Sequence, residues 1–139
     1  MAGAISTKPV PVPDELSSPF WAAARERRLV IQRCGACGYY NHPPRPFCDA
    51  CSAQDLRFVP VSGRGVVYTF TVMHQRDVPG FETESPFINI VVELDEQSML
   101  LMVCNLPISE RDRVRIGAPV QIEFEDRGNR ITVPQFRIL

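Results

Sequence analysis

Two Cys-x-x-Cys pairs restrict what this chain can fold into more than any other feature of its sequence. The segment RCGACGYYNHPPRPFCDAC, residues 33–51, contains them with ten residues between the pairs. Each pair can present two thiolates to one ion, and two pairs complete the tetrahedral shell that zinc prefers. The spacing therefore predicts one zinc ion per chain, with the ligands Cys34, Cys37, Cys48 and Cys51.

The predicted zinc ion is structural, because four protein ligands leave no open position for water or substrate. A module of about 30 residues buries too little apolar surface to fold alone, and zinc binding would contribute on the order of 10 kcal/mol to its folding. Iron in a rubredoxin-like site and disulfides are the alternatives.

The sequence has no apolar run close to the roughly 20 residues that a membrane span needs, and no signal peptide is evident at its start. We therefore expect a cytoplasmic protein without a membrane segment, and a reducing compartment favours metal over disulfides.

The chain divides into three predicted parts. Residues 1–28 form an arm containing KPVPVP and then a short helix from about Pro19 to Arg28, with Ser18 as the N-cap. Residues 29–61 form the zinc ribbon, in which LVIQRC and DLRFVPV are short strands. The remaining residues, 62–139, form a separate β domain.

The β domain is predicted from alternating and β-branched residues in five segments. These are RGVVYTFTVMH, PFINIVVELD, SMLLMVCNL, RVRIGAPVQIEFE and ITVPQFRIL. The second and third form an antiparallel hairpin, and alternation in the first places Tyr68, Phe70 and Val72 on a core face. Five strands without a long helix predict a small closed barrel of the oligonucleotide/oligosaccharide-binding (OB) type, so the fold is mainly β.

No catalytic group is evident among the residue patterns. His42 lies between the cysteine pairs and His74 ends a predicted strand, and both are interpreted as solvated or structural. Cys104 alternates with Leu100, Met102 and Leu106, which predicts a buried, inert thiol. Since no Walker loop, dinucleotide fingerprint or nucleophile elbow is present, we expect no catalysis by this chain alone.

The order of motifs supports a family resemblance over nearly the whole chain, from about Phe20 onwards. An aromatic helix precedes C-G-A-C-G, P-P-R and C-x-x-C-S, and then come SGRGVVYTFTV, PFINIVVELD, IGAPV and P-x-F-R. This order resembles the domain of unknown function 35 family, which joins a rubredoxin-like zinc ribbon to an OB-fold domain. Asp49, where proline is frequent, and Gln97, where glycine is common, depart from its pattern.

The resemblance implies a non-catalytic accessory subunit in a hetero-oligomer. Members of the family assist thiolase-superfamily enzymes that act on acyl-CoA thioesters, including thiolases, acyltransferases and the retro-aldolases of steroid side-chain degradation. Local cations near the junction of ribbon and barrel are the candidates for binding CoA, namely Arg33, Arg45 and Arg64. Aromatic side chains are the candidates for contacting the partner enzyme, with local packing as the alternative: Phe20, Trp21, Tyr39, Tyr40 and Phe47.

Two other functions are compatible with a zinc ribbon and a small barrel. The first is binding of single-stranded nucleic acid, which both modules perform in other proteins. Fifteen basic against sixteen acidic residues give a net charge of −1, so no overall field attracts phosphate, and we expect no nucleic acid partner. The second alternative is electron transfer by iron in the four-cysteine site.

Overall fold

A computed structural model describes residues 8–128 and 130–139. The described chain is mainly β, as predicted, with one α-helix, α1 (Ser18–Arg25), followed by eight strands. The strands are β1 (Val30–Cys34), β2 (Tyr40–Asn41), β3 (Leu56–Pro60), β4 (Arg64–Met73), β5 (Phe87–Leu94), β6 (Leu101–Pro107), β7 (Pro119–Asp126) and β8 (Thr132–Ile138). Residues 1–7, which belong to the predicted N-terminal arm, lie outside the described residues.

Helix α1 is shorter than predicted at its C-terminal end. Ser17, and not Ser18, occupies the N-cap position; its side chain makes no capping hydrogen bond, and Ser17 and Asp14 instead exchange hydrogen bonds of 2.8 and 3.1 Å across the preceding turn. The helix ends at Arg25 because Arg27 adopts a left-handed conformation, with φ of 62°. Arg27 then forms a bidentate ion pair with Asp126 on β7, with N–O distances of 2.9 and 2.8 Å. That ion pair fixes the exit of the helix against the barrel.

The first three strands form a small antiparallel sheet in the order β2-β1-β3. Its register pairs Gln32 with Asn41 on one side of β1 and with Phe58 on the other. The buried Gln32 side chain is satisfied by the backbone of Arg45, with bonds of 2.9 and 2.8 Å. The end of β1 and the turns that connect the three strands carry both cysteine pairs, so this sheet corresponds to the predicted ribbon.

The other five strands form an antiparallel sheet in the order β6-β5-β4-β7-β8. Its edges approach each other, since Gln135 on β8 accepts the Asn105 N–H at 3.2 Å and donates to the Asn105 side chain at 2.8 Å. Side-chain hydrogen bonds thereby link the edge strands β6 and β8 and bring the sheet round into a small barrel, which in the OB architecture is partly open. The predicted β5–β6 hairpin is confirmed by the pairing from Phe87 with Pro107 to Glu93 with Leu101.

The hydrophobic core fills the barrel and continues beneath α1. Alternating residues of β5 are almost fully buried, with Ile88, Ile90 and Val92 at 0% exposure. The predicted alternation around Cys104 is confirmed, because Leu100, Met102, Cys104 and Leu106 are all buried. Phe20 adds the helix to the same cluster.

The prediction of a core face through Tyr68, Phe70 and Val72 is wrong for Tyr68 and Phe70, whereas Val72 is partly buried against the core. The Tyr68 and Phe70 side chains are 43% and 37% exposed. Strand β7 pairs with β4 only from Arg64 to Val66, and the register with β5 shifts between Val67 and Thr69. A β-bulge interrupts the alternation of buried and exposed side chains along β4. The second half of β4 is also not paired with β7, so its side chains stay accessible to solvent.

Within the described residues, no helix has the length and apolarity needed to cross a membrane.

Candidate metal centre and its surroundings

The two cysteine pairs fold into matching turns. Cys34 ends β1, and its backbone carbonyl accepts the Gly38 N–H at 2.9 Å, while the Cys48 carbonyl accepts the Ser52 N–H at 2.8 Å. Gly38 and Ser52 occupy equivalent positions and both have left-handed backbones, with φ of 81° and 66°. Glycine adopts this conformation readily, and serine does so at a cost. The turns aim the amides of Ala36 and Ala50 at the first sulfur of each pair, at 3.4 Å in both cases.

The four sulfurs stand at the corners of a site for one ion. All lie within 4.8 Å of one another, and the Cys34–Cys51 and Cys37–Cys48 Sγ distances are both 3.6 Å. Zinc–sulfur bonds of about 2.3 Å in a tetrahedron place sulfurs about 3.8 Å apart, whereas a disulfide bond is about 2.05 Å long. All four cysteines are free thiols in the structure. The donor set fits zinc, and it fills the coordination shell with protein ligands.

The pKa values of the cysteines also fit a site that could hold a cation. At Cys48 burial opposes ionisation, but the amides of Cys51 and Ala50 outweigh it and lower the pKa to about 6. At Cys51 the Ala53 amide favours the thiolate, yet the neighbouring Cys37 and Cys34 sulfurs dominate and raise the pKa to about 12. Four thiolates cannot accumulate at such distances without a compensating charge, which a divalent ion supplies.

The ribbon is joined to the barrel by the turn between β5 and β6. Gln97 accepts the Tyr40 N–H at 2.9 Å and donates to the Tyr40 carbonyl at 3.0 Å, so its side chain mimics another strand beside β2. Glu96 accepts the Ser62 N–H at 2.8 Å from the connection between the modules. The sequence identified Gln97 only as a departure from a family pattern. Its role as a junction depends on contacts across 57 residues of chain.

The three predicted CoA-binding arginines are not brought together. Arg33 lies over the Tyr40 ring at 4.8 Å and donates to the Gly38 carbonyl. Arg45 forms an ion pair with Asp49 at 3.2 Å. The Arg45 backbone is hydrogen-bonded to the Gln32 side chain. Because neighbouring residues of a strand point to opposite faces, Gln32 and Arg33 lie on opposite faces of β1, and Arg45 is on the Gln32 side. Arg64 is exposed at the start of β4, beside the junction.

The five predicted partner-contacting aromatics have different environments. Phe20 is only 5% exposed and packs edge-on against Trp21, with ring centroids 4.9 Å apart, so packing is its role in this chain. Trp21 and Tyr40 are half-buried against the core. Tyr39 and Phe47 are 37% and 50% exposed, so their rings remain accessible on the surface of the ribbon.

Of the two histidines and the fifth cysteine, His42 and Cys104 line one cavity between α1, the loop 42–44 and the barrel, and His74 does not border it. His42 is half-buried with its ring 5.5 Å from that of Phe20, and burial lowers its pKa. His74 is exposed at the end of β4. Burial raises the pKa of Cys104 to about 12, so this thiol is a poor nucleophile at neutral pH.

Cavities on both sides of the barrel seam were not evident from the sequence. One of about 690 Å³ lies among the loop 83–86 with the start of β5, the ends of β6 and β7, and the middle of β8. Another, of about 410 Å³, lies where α1 and the loop 42–44 meet β6 and β8. Asn105 and Gln135 border both, so the hydrogen-bonded seam of the barrel separates them.

Fold and site together define a zinc-ribbon protein with an appended OB barrel. Residues 21–57 match a family described as the ChsH2 rubredoxin-like zinc ribbon domain, and residues 58–125 match the ChsH2 C-terminal OB-fold domain. A DUF35 domain-containing scaffold protein of Pyrococcus furiosus is 30% identical over 119 residues, covering 80% of this chain and 84% of the relative. The chain belongs to the DUF35 family, as its motifs indicated.

Longer relatives and solved structures give further comparisons. A probable enoyl-CoA hydratase alpha subunit of Thermomonospora curvata is 41% identical over 85% of this chain, and the 3-oxo-4,17-pregnadiene-20-carboxyl-CoA hydratase alpha subunit of Mycobacterium tuberculosis is 36% identical over 77%. The matches span only 36% and 33% of those relatives. A chain of the Ltp2-ChsH2(DUF35) aldolase superposes with a TM-score of 0.80 at 37% identity, covering 92% of this chain and 98% of that one. A Sulfolobus solfataricus DUF35 structure, 15% identical with a TM-score of 0.60, shares the fold.

Proposed function

We propose that this chain is a non-catalytic accessory subunit, which binds and stabilises a thiolase-superfamily enzyme and helps to bind or channel its acyl-CoA substrate. The observation that carries the proposal is the correspondence with a chain of the Ltp2-ChsH2(DUF35) aldolase over 98% of that chain. Names of other relatives, which include a scaffold protein and subunits of acyl-CoA hydratases, support the same role. Retro-aldol cleavage, condensation and thiolysis are all compatible with it, and we expect a cytoplasmic complex.

The zinc site supports the proposal through its geometry. A closed shell of four thiolates stabilises the ribbon and leaves no position for a substrate atom. The site holds the segment between the cysteine pairs, in which the side chains of Tyr39, Phe47 and Arg45 are exposed. Exposed aromatic and arginine side chains are the residues enriched at the energetic centres of protein interfaces. The ribbon therefore offers the partner enzyme a rigid contact surface.

Affinity purification of the tagged chain from its host tests the partner. We expect a thiolase-superfamily subunit in stoichiometric amount, and Phe47→Ser should reduce its recovery at least tenfold. Ile116→Ser is the matched control, because Ile116 is 69% exposed on the barrel side of the chain. Zinc content measured in both variants separates loss of contact from loss of fold. Recovery of only ribosomal or DNA-bound proteins would contradict the proposal.

Substrate binding is tested on the purified complex by calorimetry with acetyl-CoA. Arg33, Arg45 and Arg64 are each replaced by methionine, which keeps length and removes charge. Loss of one arginine–phosphate contact should weaken binding by about 1.5 to 3 kcal/mol, or about tenfold to a hundredfold. Arg111→Met is the control, since Arg111 is exposed after β6. Unchanged affinity in all three variants would remove these residues from the CoA site.

A second candidate function, binding of single-stranded nucleic acid, gains support from one observation. Tyr68 and Phe70 are exposed on β4, where stacking of bases on a barrel strand is feasible. The balance of charge opposes this function, because the chain has a net charge of −1. Fluorescence anisotropy with a mixed oligonucleotide pool decides between the two. We expect no salt-dependent binding, and a signal lost in Tyr68→Ala would favour the nucleic-acid function instead.

A further inference from the structure

The second half of β4 has one edge without a neighbouring strand. Strand β7 pairs with β4 only from Arg64 to Val66. The last bonds that the described residues form on this side belong to Val67. Its N–H donates to the Ala118 carbonyl at 2.9 Å, and its carbonyl accepts the Gly117 N–H at 2.8 Å. From residue 68 to 73, β4 pairs only with β5 in the described part of the chain, so its outer side is a free sheet edge.

The backbone groups of Phe70 and Val72 point to this free edge. Successive residues of an antiparallel strand direct their N–H and C=O groups alternately to its two sides. Because Leu94 donates its N–H to β6, alternation along β5 turns the partners of Thr69 and Thr71 towards β4. Thr69 and Thr71 therefore bond to β5. Phe70 and Val72, which alternate with them, direct two N–H donors and two carbonyl acceptors outwards.

The same segment is exposed and lacks the usual protection of a sheet edge. Thr69, Phe70 and Thr71 are all exposed, and neighbouring side chains point to opposite faces, so both faces of the strand are accessible together with its edge. Its sequence, YTFTVM, is rich in β-branched and aromatic residues and contains no charge and no proline. Natural proteins usually protect free edges with charges, prolines or a covering segment, and an edge without them is a template for another strand. The backbone groups thus specify an extended peptide segment as the occupant.

The size of the edge indicates which chain can fill it. Two N–H donors and two carbonyl acceptors give about four hydrogen bonds, whereas a typical stable protein interface carries about ten. Pairing along this edge alone is therefore too small to hold two copies of the chain together. It suits a strand that belongs to a larger contact, which the accessory complex proposed above supplies.

We propose that residues 68–73 of β4 pair with an extended segment of the partner enzyme, which adds a sixth strand to the five-stranded sheet of the barrel. The segment is uncharged, and a β-branched or aromatic side chain of it packs against the Phe70 ring. This inference rests on the accessory role proposed above and names the backbone surface through which that role is exerted.

Hydrogen exchange in the purified complex tests the pairing, with mass spectrometry and fragmentation to single residues as the measurement. In the free chain the amides of Phe70 and Val72 should exchange fast, because they face solvent. In the complex they should exchange about tenfold more slowly or less. Val103 is the internal reference: it alternates with Met102, which pairs with β5, so its amide faces outwards from β6 and should exchange equally fast in both samples.

The possible results separate this inference from the accessory role. A recovered complex in which Phe70 and Val72 exchange as in the free chain would overturn the inference and leave the accessory role intact. Recovery of no enzyme would contradict both. Protection of the two amides in the free chain, together with a dimer by sedimentation, would assign the edge to a second copy instead.

Variants then separate the backbone from the side chain. Phe70→Pro removes the outward N–H, and because that N–H lies outside the β5 ladder, the fold should tolerate the change. Recovery of the partner enzyme should fall about fivefold or more relative to Phe70→Ala, which keeps the donor and loses the ring. Val103→Pro is the control, since it removes an outward N–H from the other side of the sheet, and zinc content verifies that each variant is folded. Equal recovery with Phe70→Pro and Phe70→Ala, or an equal loss with Val103→Pro, would contradict the assignment.

Discussion

Gly63 provides a quantitative test of how the ribbon meets the barrel. It lies between β3 and β4 with φ of 73°, and a Cβ atom there would stand 2.1 Å from Cγ2 of Ile122. The backbone cannot retreat, because the Ile122 N–H donates to the Gly63 carbonyl at 2.8 Å. Gly63→Ala therefore combines a left-handed alanine with an overpacked contact.

The expected loss follows from these two effects. A left-handed conformation costs a residue with a Cβ atom about 1 to 2 kcal/mol, and an overpacked contact costs about 1 to 3 kcal/mol. Gly63→Ala should lower the free energy of unfolding by the sum, about 2 to 5 kcal/mol. Gly117→Ala is the matched control, because Gly117 has φ of 87° and no atom lies within 4 Å of the place its Cβ would take. It should lose only about 1 to 2 kcal/mol.

Urea unfolding at saturating zinc measures both losses through the fluorescence of Trp21. With a slope of about 1 to 3 kcal/mol per M, a loss of about 2 kcal/mol lowers the midpoint by roughly 1 M. Ile122→Ala removes the clashing Cγ2 atom, so the double variant with Gly63→Ala should be less destabilised than the sum of the single changes. Equal losses for Gly63→Ala and Gly117→Ala, or strict additivity with Ile122→Ala, would refute the steric reasoning.

Four further outcomes are expected. Cys37→Ser should bind less than one zinc per chain by elemental analysis and lose soluble yield, whereas a full complement of zinc would disprove the ligand assignment. Cys104, with its pKa raised to about 12 by burial, should resist thiol reagents at pH 8 when chelation of zinc makes the other cysteines reactive; rapid labelling of all five thiols would contradict this. The Arg27 ion pair, and secondarily the Thr132 hydroxyl, lower the pKa of Asp126 in the folded state. Asp126→Asn should therefore reduce the urea midpoint at pH 7, and its difference from the unaltered chain should shrink as the pH falls below about 4, near the unfolded pKa; a constant difference would exclude the ion pair as its cause. Ser52→Gly should raise the free energy of unfolding by up to about 1 kcal/mol, because glycine adopts the left-handed backbone of this position without strain; a lower urea midpoint would contradict this.

Much of the fold was predictable because local patterns specify it. The Cys-x-x-Cys spacing determines the metal-binding turns, and alternation in PFINIVVELD and SMLLMVCNL determines the β5–β6 hairpin with Cys104 inside. The close approach of β4 to β5 requires a glycine within SGRG, since a Cβ atom on Gly65 would stand 2.3 Å from the Glu93 carbonyl oxygen. The end of α1 was less predictable, because the ion pair of Arg27 with a residue 99 positions away determines it.

Alternation failed at Tyr68 and Phe70 for a related reason. A period of two describes a strand with regular neighbours, whereas the bulge and the early departure of β7 are properties of the assembled sheet. The positions of the predicted binding residues also depend on the assembled fold. Phe20 belongs to the core, Arg33 and Arg45 lie on different faces of the ribbon, and Phe47 is exposed.

The sequence by itself determined the cluster of four cysteines, the order of ribbon and barrel, and the family, because each depends on residues close together in the chain. Only the tertiary structure decided how Gln97 joins the two modules and how Asn105 and Gln135 close the barrel. It also decided that the second half of β4 keeps one edge unpaired among the described residues. These features arise where distant segments meet, and the pairing of a polar group is a property of its surroundings in space.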